Sequence, residues 1–589
     1  MKYIAIFIMA LIFAASAAAD VTLNVIYPRY GQQIPDVDST FIFGNITPGA
    51  KLFINNQPVD IHKSGGWLAF LDIDPGPFTF QLLAMDKNDT TRLDWPIQVG
   101  PLQDSIFHAD SIIAKSFSPP DSSWFMAGEP VEFSFKAPFV GNYDLIIDKN
   151  DTIDVFTAPL NLFFDHLGKP ISVPLDSLVT FRGFHMFSSA DTGWHNIDLR
   201  YILPENNKGV IYSICRIYIL PQTPPLIGEL TGTRHIIRTG PGLGYKLLYL
   251  PSGIGIRLTG KQDLFYKFTL AENISGYINV DSVTVLPHEN TLPRSNITRI
   301  DITDSADCVI ISIPLEMRLP YEITEDFYNG TIELDIFGAT GDVDWITNRG
   351  NSPLINIVRW SQPQDEIFRA SIQFDNESLS GYQPYYDGIT LKIRLTPRKH
   401  LTDAIFQPLT GLRIVVDPGH SLDSGAIGPT GLVEKDVNLQ ISQKVRKMLE
   451  DKGADVLMTR TGDEHIPLYD RPDIAESWGA DLLVSIHNNA LPDGVNPFFN
   501  NGTAVYYYHP HSKPLAEKIH ARLLENTGLP NWGLNYGNLV LTRPTSIPSV
   551  LVECAFMMLP EQESMLRTDK FQKKCAKAIV QGIIDYFKE

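Results

Sequence analysis

Cysteine is scarce in this chain, with four residues among 589: Cys215, Cys308, Cys554 and Cys575. No two of them form a Cys-x-x-Cys pair, so a thiolate zinc site or a dithiol redox centre has no support in the sequence. A disulfide between Cys554 and Cys575 is one option in an oxidising compartment. Because free cysteine often packs as a small buried hydrophobe, we expect buried free thiols instead.

Dense clusters of Lys and Arg are also missing. The chain has 48 Lys and Arg against 67 Asp and Glu, which gives a formal net charge of −19. Nucleic acids and anionic lipid surfaces are bound through basic patches, so the composition argues against both as partners. The acidity itself is typical of a solubility feature without a role in a site.

A long hydrophobic run occurs near the N-terminus and nowhere later. Lys2 precedes an apolar core over residues 4–15, and three alanines at 17–19 stand before Asp20. This order is typical of a secretory signal peptide with its cleavage site. An uncleaved anchor is the alternative, but a spanning helix needs roughly 18 or more apolar residues. We expect residues 1–19 to be a signal peptide and the mature protein to be exported, to the periplasm, cell envelope or exterior, without stable membrane insertion.

Residues from 21 to about 400 have few helical periods and many short alternating runs between turn residues, which predicts small all-β modules. Residues 20–102 resemble a bacterial immunoglobulin-like domain through the segment 44–59 and a later Asp-Pro-Gly turn. Residues 103–225 predict a second β-sandwich. Residues 226–288 resemble a bacterial SH3-like module, of a kind that often binds cell-wall material. A spacer role without any ligand is an equal alternative for each module.

The pattern changes from residue 411 onward, where strand-like and helical runs alternate. This alternation predicts a mostly parallel sheet covered by helices. The clearest helix follows Glu434, with apolar residues four apart and Gly453 at its end. The predicted strands are 413–416, 454–459, 481–486, 503–508 and 549–552. The predicted fold is therefore several small all-β modules (Ig-like, SH3-like and β-sandwich) followed by a C-terminal α/β domain with a mostly parallel sheet covered by helices.

Four residues in this last region carry the chemistry. His420, His487 and Glu553 each end an apolar strand-like run, and Glu434 stands at the start of the helix. Since the carboxyl ends of parallel strands converge on one crevice, these side chains are expected to meet. Taken singly, His420 is also typical of a solvated loop, Glu434 of the first turn of a helix, and Glu553 of a salt-bridged residue.

Two His and one carboxylate, with water in the open fourth position, form the ligand set of zinc peptidases. We therefore predict one Zn²⁺ held by His420, Glu434 and His487, with Glu553 as the carboxylate that transfers the proton. Three further histidines compete for the metal. They are His465, His509 and His511, which we predict to be loop residues because their segments have no carboxylate at a helix start; His509 is kept as a candidate substrate contact.

The segments 417–420, 485–490 and 548–553, with Glu434, look like those of zinc-dependent N-acetylmuramoyl-L-alanine amidases, and the resemblance runs over about 412–588. It implies that residues 401–589 are the catalytic domain. It also implies that the residues assigned above bind zinc and transfer the proton. The implied reaction is hydrolysis of the amide between the muramoyl lactyl group and L-alanine of the stem peptide, with peptidoglycan as the partner.

Residues 289–400 are strand-rich and resemble the β-domain that often precedes such amidases and helps to place them at the envelope. Regulatory envelope proteins are a partner class that the sequence does not specify. Residues 491–500 are too short for the long helical insertion that covers the zinc in some family members, so an open site is predicted.

The sequence also departs from the family. Ser421 and Leu422 stand where two glycines are frequent, Cys554 replaces a frequent Gly, and Arg471 receives no catalytic role. A zinc carboxypeptidase-type peptidase is one alternative function, although the order of motifs suits it less. A non-catalytic cell-wall-binding scaffold is the other, and the four intact key residues argue against it.

Overall fold

The structure is a computed structural model that describes residues 21–86, 89–100, 116–138, 142–157, 178–202, 209–287, 291–305, 307–326, 329–375, 379–402 and 405–588. The predicted signal peptide, residues 1–19, lies outside the described residues. Within these ranges, no helix combines the length and the apolar character that membrane crossing requires.

The first described region consists of two β-sheets around an aromatic core that includes the fully buried Trp67 and Phe80. Its strands are β1 (Leu23–Tyr27), β2 (Gln33–Ile34), β3 (Ser39–Ile46), β4 (Lys51–Ile54), β5 (Gln57–Val59), β6 (Gly66–Asp72), β7 (Gly76–Asp86) and β8 (Asp89–Val99). The strand orders are β1-β3-β6 and β2-β8-β7-β4-β5. Alternation of buried and exposed residues along β7 places one face of that strand in the core.

The next two regions contain twelve strands among the described residues, and ten of these strands form one sheet. The strands are β9 (Ser123–Met126), β10 (Pro130–Pro138), β11 (Asn142–Ile147), β12 (Asp151–Asp154), β13 (Leu178–Met186), β14 (Gly193–Ile202), β15 (Gly209–Leu220), β16 (Leu226–Leu230), β17 (Gly255–Gln262), β18 (Phe265–Ala271), β19 (Ile274–Asn279) and β20 (Val283–Val285). The order is β12-β11-β14-β15-β9-β17-β16-β20, with β18 and β19 attached to β17, and β10 pairs with β13 separately. Trp124 of β9 pairs with Lys261 of β17, so β9 joins the two regions.

Residues 291–400 form two facing sheets. Their strands are β21 (Ser295–Ser305), β22 (Cys308–Ile313), β23 (Tyr321–Asp326), β24 (Thr331–Phe337), β25 (Ala339–Asn348), β26 (Ile355–Gln364), β27 (Ile367–Phe374), β28 (Leu379–Asp387) and β29 (Thr390–Pro397). The strand orders are β25-β21-β22-β29-β28 and β23-β24-β27-β26. Ile311, Ile336 and Phe368 lie between the sheets and are fully buried.

The C-terminal region is an α/β domain. Its strands are β30 (Arg413–Pro418), β31 (Asp455–Met458), β32 (Leu482–Asn489), β33 (Thr503–Tyr507), β34 (Asn531–Tyr536) and β35 (Ser549–Phe556). Its helices are α1 (Glu434–Glu450), α2 (Asp470–Trp478), α3 (Lys513–Thr527), α4 (Pro560–Leu566) and α5 (Asp569–Lys588). Short 3₁₀ helices in the described chain include Ser189–Asp191, Val280–Ser282, Pro510–Ser512 and Val540–Thr542.

The sheet of this domain has the order β31-β30-β32-β35-β33-β34. Neighbouring strands are parallel except for β33 and β35, which are antiparallel. Helices α1, α3 and α5 pack their apolar faces into one core on the sheet, while Ala475 of α2 packs against the other face. Helix α1 begins at Glu434 and buries Val437, Ile441, Val445 and Leu449, as the sequence predicts.

Two strands are longer than predicted, and this changes the setting of the site. Strand β32 continues through His487 to Asn489, and β35 continues through Glu553 to Phe556. His487 and Glu553 are therefore partners in adjacent parallel strands, and neither ends its strand. The local apolar run stops at these residues, but the backbone pairing continues because the neighbouring strand supplies hydrogen-bond partners.

The N-terminal sandwich packs against the C-terminal domain. Phe41, Phe43 and Leu68 form one apolar cluster with Phe556 and Met558. Two hydroxyl groups of the sandwich, those of Tyr27 and Thr40, donate to the carboxylate of Asp493 at 2.7 and 2.6 Å. This contact brings the first described region to the edge of the sheet where the candidate site lies.

Candidate metal centre

His420, Glu434 and His487 meet at the carboxyl edge of the C-terminal sheet. Glu434 Oε1 lies 3.0 Å from His420 Nε2 and 3.1 Å from His487 Nδ1. Ligand atoms bound tetrahedrally at zinc distances are separated by about 3.3 Å, so these spacings suit three ligands of one cation. The prediction that these three side chains share one site is consistent with this geometry.

Glycines make room for this cluster. A Cβ added at Gly419 would overlap the ring of His487, and one added at Gly425 would overlap the Glu434 carboxylate. Gly425 also has a φ of +63°, in the left-handed region, and His420 adopts the same value. Because an L-residue with a side chain rarely adopts this φ, the backbone of His420 is strained, which is common at functional sites.

The Glu434 carboxylate is buried and surrounded by donors. It accepts from the amide N of Ala426 at 2.8 Å, the amide N of Asn488 at 3.2 Å and Nδ2 of Asn438 at 3.1 Å. Burial opposes its ionisation, but the imidazoles of His420 and His487 outweigh burial and hold the pKa of Glu434 well below its usual range. An ionised carboxylate is the form that binds a cation.

The orientation of His420 fits a metal ligand. Its Nδ1 contacts the Asp423 carboxylate, which can only accept a hydrogen bond, so Nδ1 carries the proton. In the neutral ring, Nε2 then directs its lone pair at Glu434. Two acceptors that face each other at 3.0 Å need a positive charge between them. Metal-bound histidines commonly donate their second ring N–H to a carboxylate, which fixes the tautomer of the ring.

Glu553 lies beside His487 in the sheet, one strand over. Its Oε2 atom is inaccessible to solvent and has no hydrogen-bond partner among the described residues. Burial, together with the nearby Glu434 carboxylate, raises the pKa of Glu553 well above its usual range. Buried polar atoms are normally paired, so this geometry favours a chemical role over the salt-bridged alternative.

Buried polar groups hold the turn that carries His420. Asp417 is completely buried and accepts from Ser485 Oγ at 2.6 Å and from the hydroxyl of Thr459. Arg460 donates to the carbonyl oxygens of Pro418 and Gly419, both at 2.9 Å. Neither Asp417 nor Arg460 has a role that local sequence predicts, because these contacts join residues more than 40 positions apart.

A groove with a cavity volume of about 720 Å³ lies next to the cluster, between the N-terminal sandwich and the segment with Gly425 and Ala426, which contact Glu434. Tyr27, Arg29 and Tyr30 line one wall, and residues 424–427 and 490–493 line the other. The side chains of His420 and His487 are 25% and 17% exposed, so solvent reaches the cluster. Of the two residues that replace glycines, Ser421 is buried and Leu422 is exposed.

The other histidines fall into two groups. His465 is an exposed loop residue, as predicted. His509 lies in the turn after β33, as predicted, and His511 lies in the 3₁₀ helix Pro510–Ser512. Both are buried against Glu325 of β23, a contact that the sequence did not predict because Glu325 lies 186 positions before His511 in the chain.

All four cysteines are free and buried in the structure. This confirms the expectation of buried thiols over a disulfide between Cys554 and Cys575.

Comparison with known proteins assigns the C-terminal domain to a family. A family model described as N-acetylmuramoyl-L-alanine amidase matches residues 414–585. The amidase AmiA of Salmonella typhimurium is 35% identical over 219 residues, which is 30% of this chain and 75% of that protein. AmiA of Escherichia coli is likewise 35% identical, over 223 residues and 77% of its length.

LytC of Bacillus subtilis, an N-acetylmuramoyl-L-alanine amidase, is 38% identical over 186 residues, but the chain spans only 36% of its length. Among solved structures, the amidase AmiC2 of Nostoc punctiforme is 38% identical and aligns with a TM-score of 0.29, covering 31% of this chain and 99% of that one. From the matches to the family model and to the AmiA proteins, we conclude that the chain belongs to the N-acetylmuramoyl-L-alanine amidase family.

Proposed function

We propose that the protein is a peptidoglycan hydrolase that cleaves the amide bond between the N-acetylmuramoyl lactyl group and L-alanine of the stem peptide. The convergence of His420, Glu434 and His487 beside Glu553, in a chain of the amidase family, is the observation that carries this proposal. The relatives named above are amidases of this specificity.

His420, Glu434 and His487 are proposed to hold one Zn²⁺. A bound zinc ion polarises the amide carbonyl and lowers the pKa of water, which makes hydroxide available near neutrality. Three observations support this assignment. Two imidazoles and one carboxylate are a usual zinc ligand set, Gly419 and Gly425 leave room for these side chains, and Asp423 contacts the Nδ1 atom of His420.

Glu553 is proposed to carry the proton. Its carboxylate accepts a proton from the attacking water as the new C–O bond forms. The resulting carboxylic acid then donates that proton to the leaving nitrogen of L-alanine as the C–N bond breaks. The carboxylate is regenerated in this cycle, and the products are a free lactyl carboxylate and a free peptide amine. Burial raises the pKa of Glu553 above its usual range, and this direction suits a group that must hold the proton between the two steps.

The groove between the two domains is proposed to hold the stem peptide. Stem peptides carry carboxylates and small aliphatic side chains. Arg29 and the tyrosines at positions 27 and 30 offer a cation and aromatic surfaces along one wall of the groove. The N-terminal sandwich would then be part of the substrate-binding surface.

The β-rich regions, including the N-terminal sandwich, are also proposed to place the enzyme at the cell envelope after export. We assign residues 20–102 to an immunoglobulin-like module and 103–225 to a second sandwich. Residues 226–288 are assigned to an SH3-like module and 289–400 to an envelope-targeting β-domain. The name of one relative, "Probable cell wall amidase LytH" of Staphylococcus aureus, supports this location.

Digestion of purified sacculi tests the proposal. Amidase activity releases new N-terminal alanine, and chelation followed by zinc addition should abolish and restore it. Release of C-terminal amino acids would instead indicate a carboxypeptidase. Binding to sacculi without any release, by protein with a native circular dichroism spectrum and bound zinc, would indicate a scaffold.

A further inference from the structure

A second cluster of metal-ligand type lies at the opposite end of the same sheet. Strand β33 starts beside Glu553, to which Ala504 pairs, and runs antiparallel to β35 so that Tyr506 pairs with Leu551. His509 and His511 follow the end of β33, in the turn and the 3₁₀ helix that precede α3. They are therefore separated from the candidate metal centre by the length of the strand.

The third member of the cluster, Glu325, comes from β23 in the region of residues 291–400. Its Oε2 lies 3.1 Å from His511 Nδ1 and 3.7 Å from His509 Nδ1. The two imidazole rings are stacked, with centroids 5.5 Å apart and planes inclined by 17°. One ligand atom from each residue lies within 4.8 Å of the others, as in the first cluster.

The three side chains of the cluster are almost completely buried. The side chains of Glu325, His509 and His511 are 3%, 4% and 0% exposed. A buried carboxylate is stable only when it is paired, and its partners here belong to another domain. One oxygen, Oε1, already accepts the amide hydrogen of His511 at 2.8 Å.

Hydrogen bonding of His509 leaves one of its nitrogens without a suitable partner. Its Nε2 lies 3.0 Å from the carbonyl oxygen of Arg543, which only accepts, so Nε2 carries a proton. In the neutral ring, Nδ1 directs a lone pair toward the Glu325 carboxylate. Two acceptors then face each other in a buried place.

Protonation of the two imidazoles cannot by itself balance the charges and hydrogen bonds of this cluster. If both rings were protonated, one carboxylate would face two buried cations. If both were neutral, the lone pair of His509 Nδ1 would face the carboxylate. A divalent cation between the three ligand atoms would remove this conflict.

We propose that Glu325, His509 and His511 form a second metal site, which binds one divalent transition-metal ion and links residues 291–400 to the catalytic domain. Two imidazoles and one carboxylate suit Zn²⁺ among the common biological cations. A neighbouring cavity of about 490 Å³, lined by Tyr245, Tyr508 and Tyr536, offers access for a further ligand such as water.

This site would be structural. Its ligands come from two regions, so the free energy of metal binding would stabilise the association of these regions. The inference does not depend on the proposed catalytic activity, because the second cluster lies away from Glu553 and its groove.

Zinc stoichiometry of the full-length protein tests the inference. The protein is stripped with a chelator, reloaded with ZnCl₂, desalted and measured by inductively coupled plasma mass spectrometry. The expected result is two equivalents for the wild type and one for Glu325→Gln. His465→Gln, which changes an exposed histidine, is the matched control and should retain two. One equivalent in the wild type, lost on His420→Ala with His487→Ala, would overturn the inference.

A second measurement covers the case in which the Glu325 variant fails to fold. The variant with both His420→Ala and His487→Ala keeps the second cluster intact. We expect it to bind one equivalent of zinc and to show a higher Tm with zinc than with chelator. A native circular dichroism spectrum with neither bound zinc nor a shift in Tm contradicts the second site.

Discussion

Arg471 and Asp417 form a buried ion pair beneath the turn that carries His420, with 2.8 Å between Nη1 and Oδ1 and with side chains that are 4% and 0% exposed. The same guanidinium donates to the carbonyl oxygens of Pro418 at 2.9 Å and His420 at 2.8 Å. Arg471 therefore binds both the Asp417 carboxylate near the end of β30 and the backbone of His420, a proposed metal-binding residue. This planar fork of donors cannot be reproduced by a lysine.

Replacing Arg471 with Met should lower the free energy of unfolding by about 3–5 kcal/mol, because the Asp417 carboxylate is left buried without its cation. Urea unfolding followed by circular dichroism measures the change. Arg446→Met is the matched control, since its pair with Glu450 is exposed, and it should cost less than about 1 kcal/mol. Equal effects for both variants would contradict the role of the buried pair.

Glu553→Gln should lower kcat on purified sacculi by about 10²–10⁴-fold, because the variant cannot carry the proton. Zinc content should stay at the wild-type value. Glu561→Gln, at an exposed position on α4, should leave both quantities unchanged. If Glu553→Gln lost zinc, Glu553 would belong to the ligand set and its proposed role would be wrong.

Gly419→Ala should weaken zinc binding at the first site by about 10–100-fold, the range seen when the support of a ligand is disturbed. The new methyl group would overlap the His487 ring and displace it. Competition with a chromophoric chelator measures the affinity. Gly244→Ala is the control, because its added methyl group meets nothing closer than 3.7 Å. Unchanged affinity in Gly419→Ala would show that the ring position is not critical.

The double variant Arg29→Ala with Tyr30→Ala should raise KM for soluble muropeptide by about tenfold, which corresponds to about 1.4 kcal/mol. The kcat value should change little, since both residues line the groove from the N-terminal sandwich and neither is a proposed zinc ligand or proton carrier. Trp345→Ala removes another exposed aromatic side chain, on β25, and should have no effect. A loss of kcat with constant KM would argue against the groove as the peptide-binding surface.

Thiol titration of the native protein should detect almost no reactive cysteine up to pH 9. Burial, with the nearby Asp121, raises the pKa of Cys215 to about 12, so its reactive thiolate form stays rare until the pH approaches that value. The hydrogen bond to Cys575 and burial also raise the pKa of Cys554 well above its usual range. Ellman's reagent should count four thiols after denaturation without reductant; a count of two would indicate a disulfide.

Local patterns in the sequence were sufficient for much of the C-terminal domain. The four-residue spacing from Val437 to Leu449 predicted the buried face of α1, since an α-helix repeats every 3.6 residues. Convergence of strand ends predicted that His420 and His487 would meet. Strand β34 was not predicted, although apolar and polar residues alternate along Asn531–Tyr536, because the asparagines and the glycine of this segment are typical of turns. Its pairing with β33 shows that the segment is a strand.

Contacts between regions could not be predicted from local sequence patterns. Nothing near His509 or His511 in the sequence indicates that Glu325 lies against them, and no local pattern connects Tyr27 with Asp493. Such contacts depend on how separately folded regions pack together. Periodicity and turn chemistry predict elements within a region, while the arrangement of regions depends on surfaces that are distant in sequence.

The hydrogen bond between Tyr27 and Asp493 joins residues 466 positions apart. A ribosome would therefore have to add more than four hundred residues after Tyr27 before both walls of the groove existed. If the groove binds substrate as proposed, a nascent or truncated chain would lack a competent cleft. Because synthesis runs from the N-terminus to the C-terminus, the chain would then lack hydrolase activity until its synthesis was almost complete.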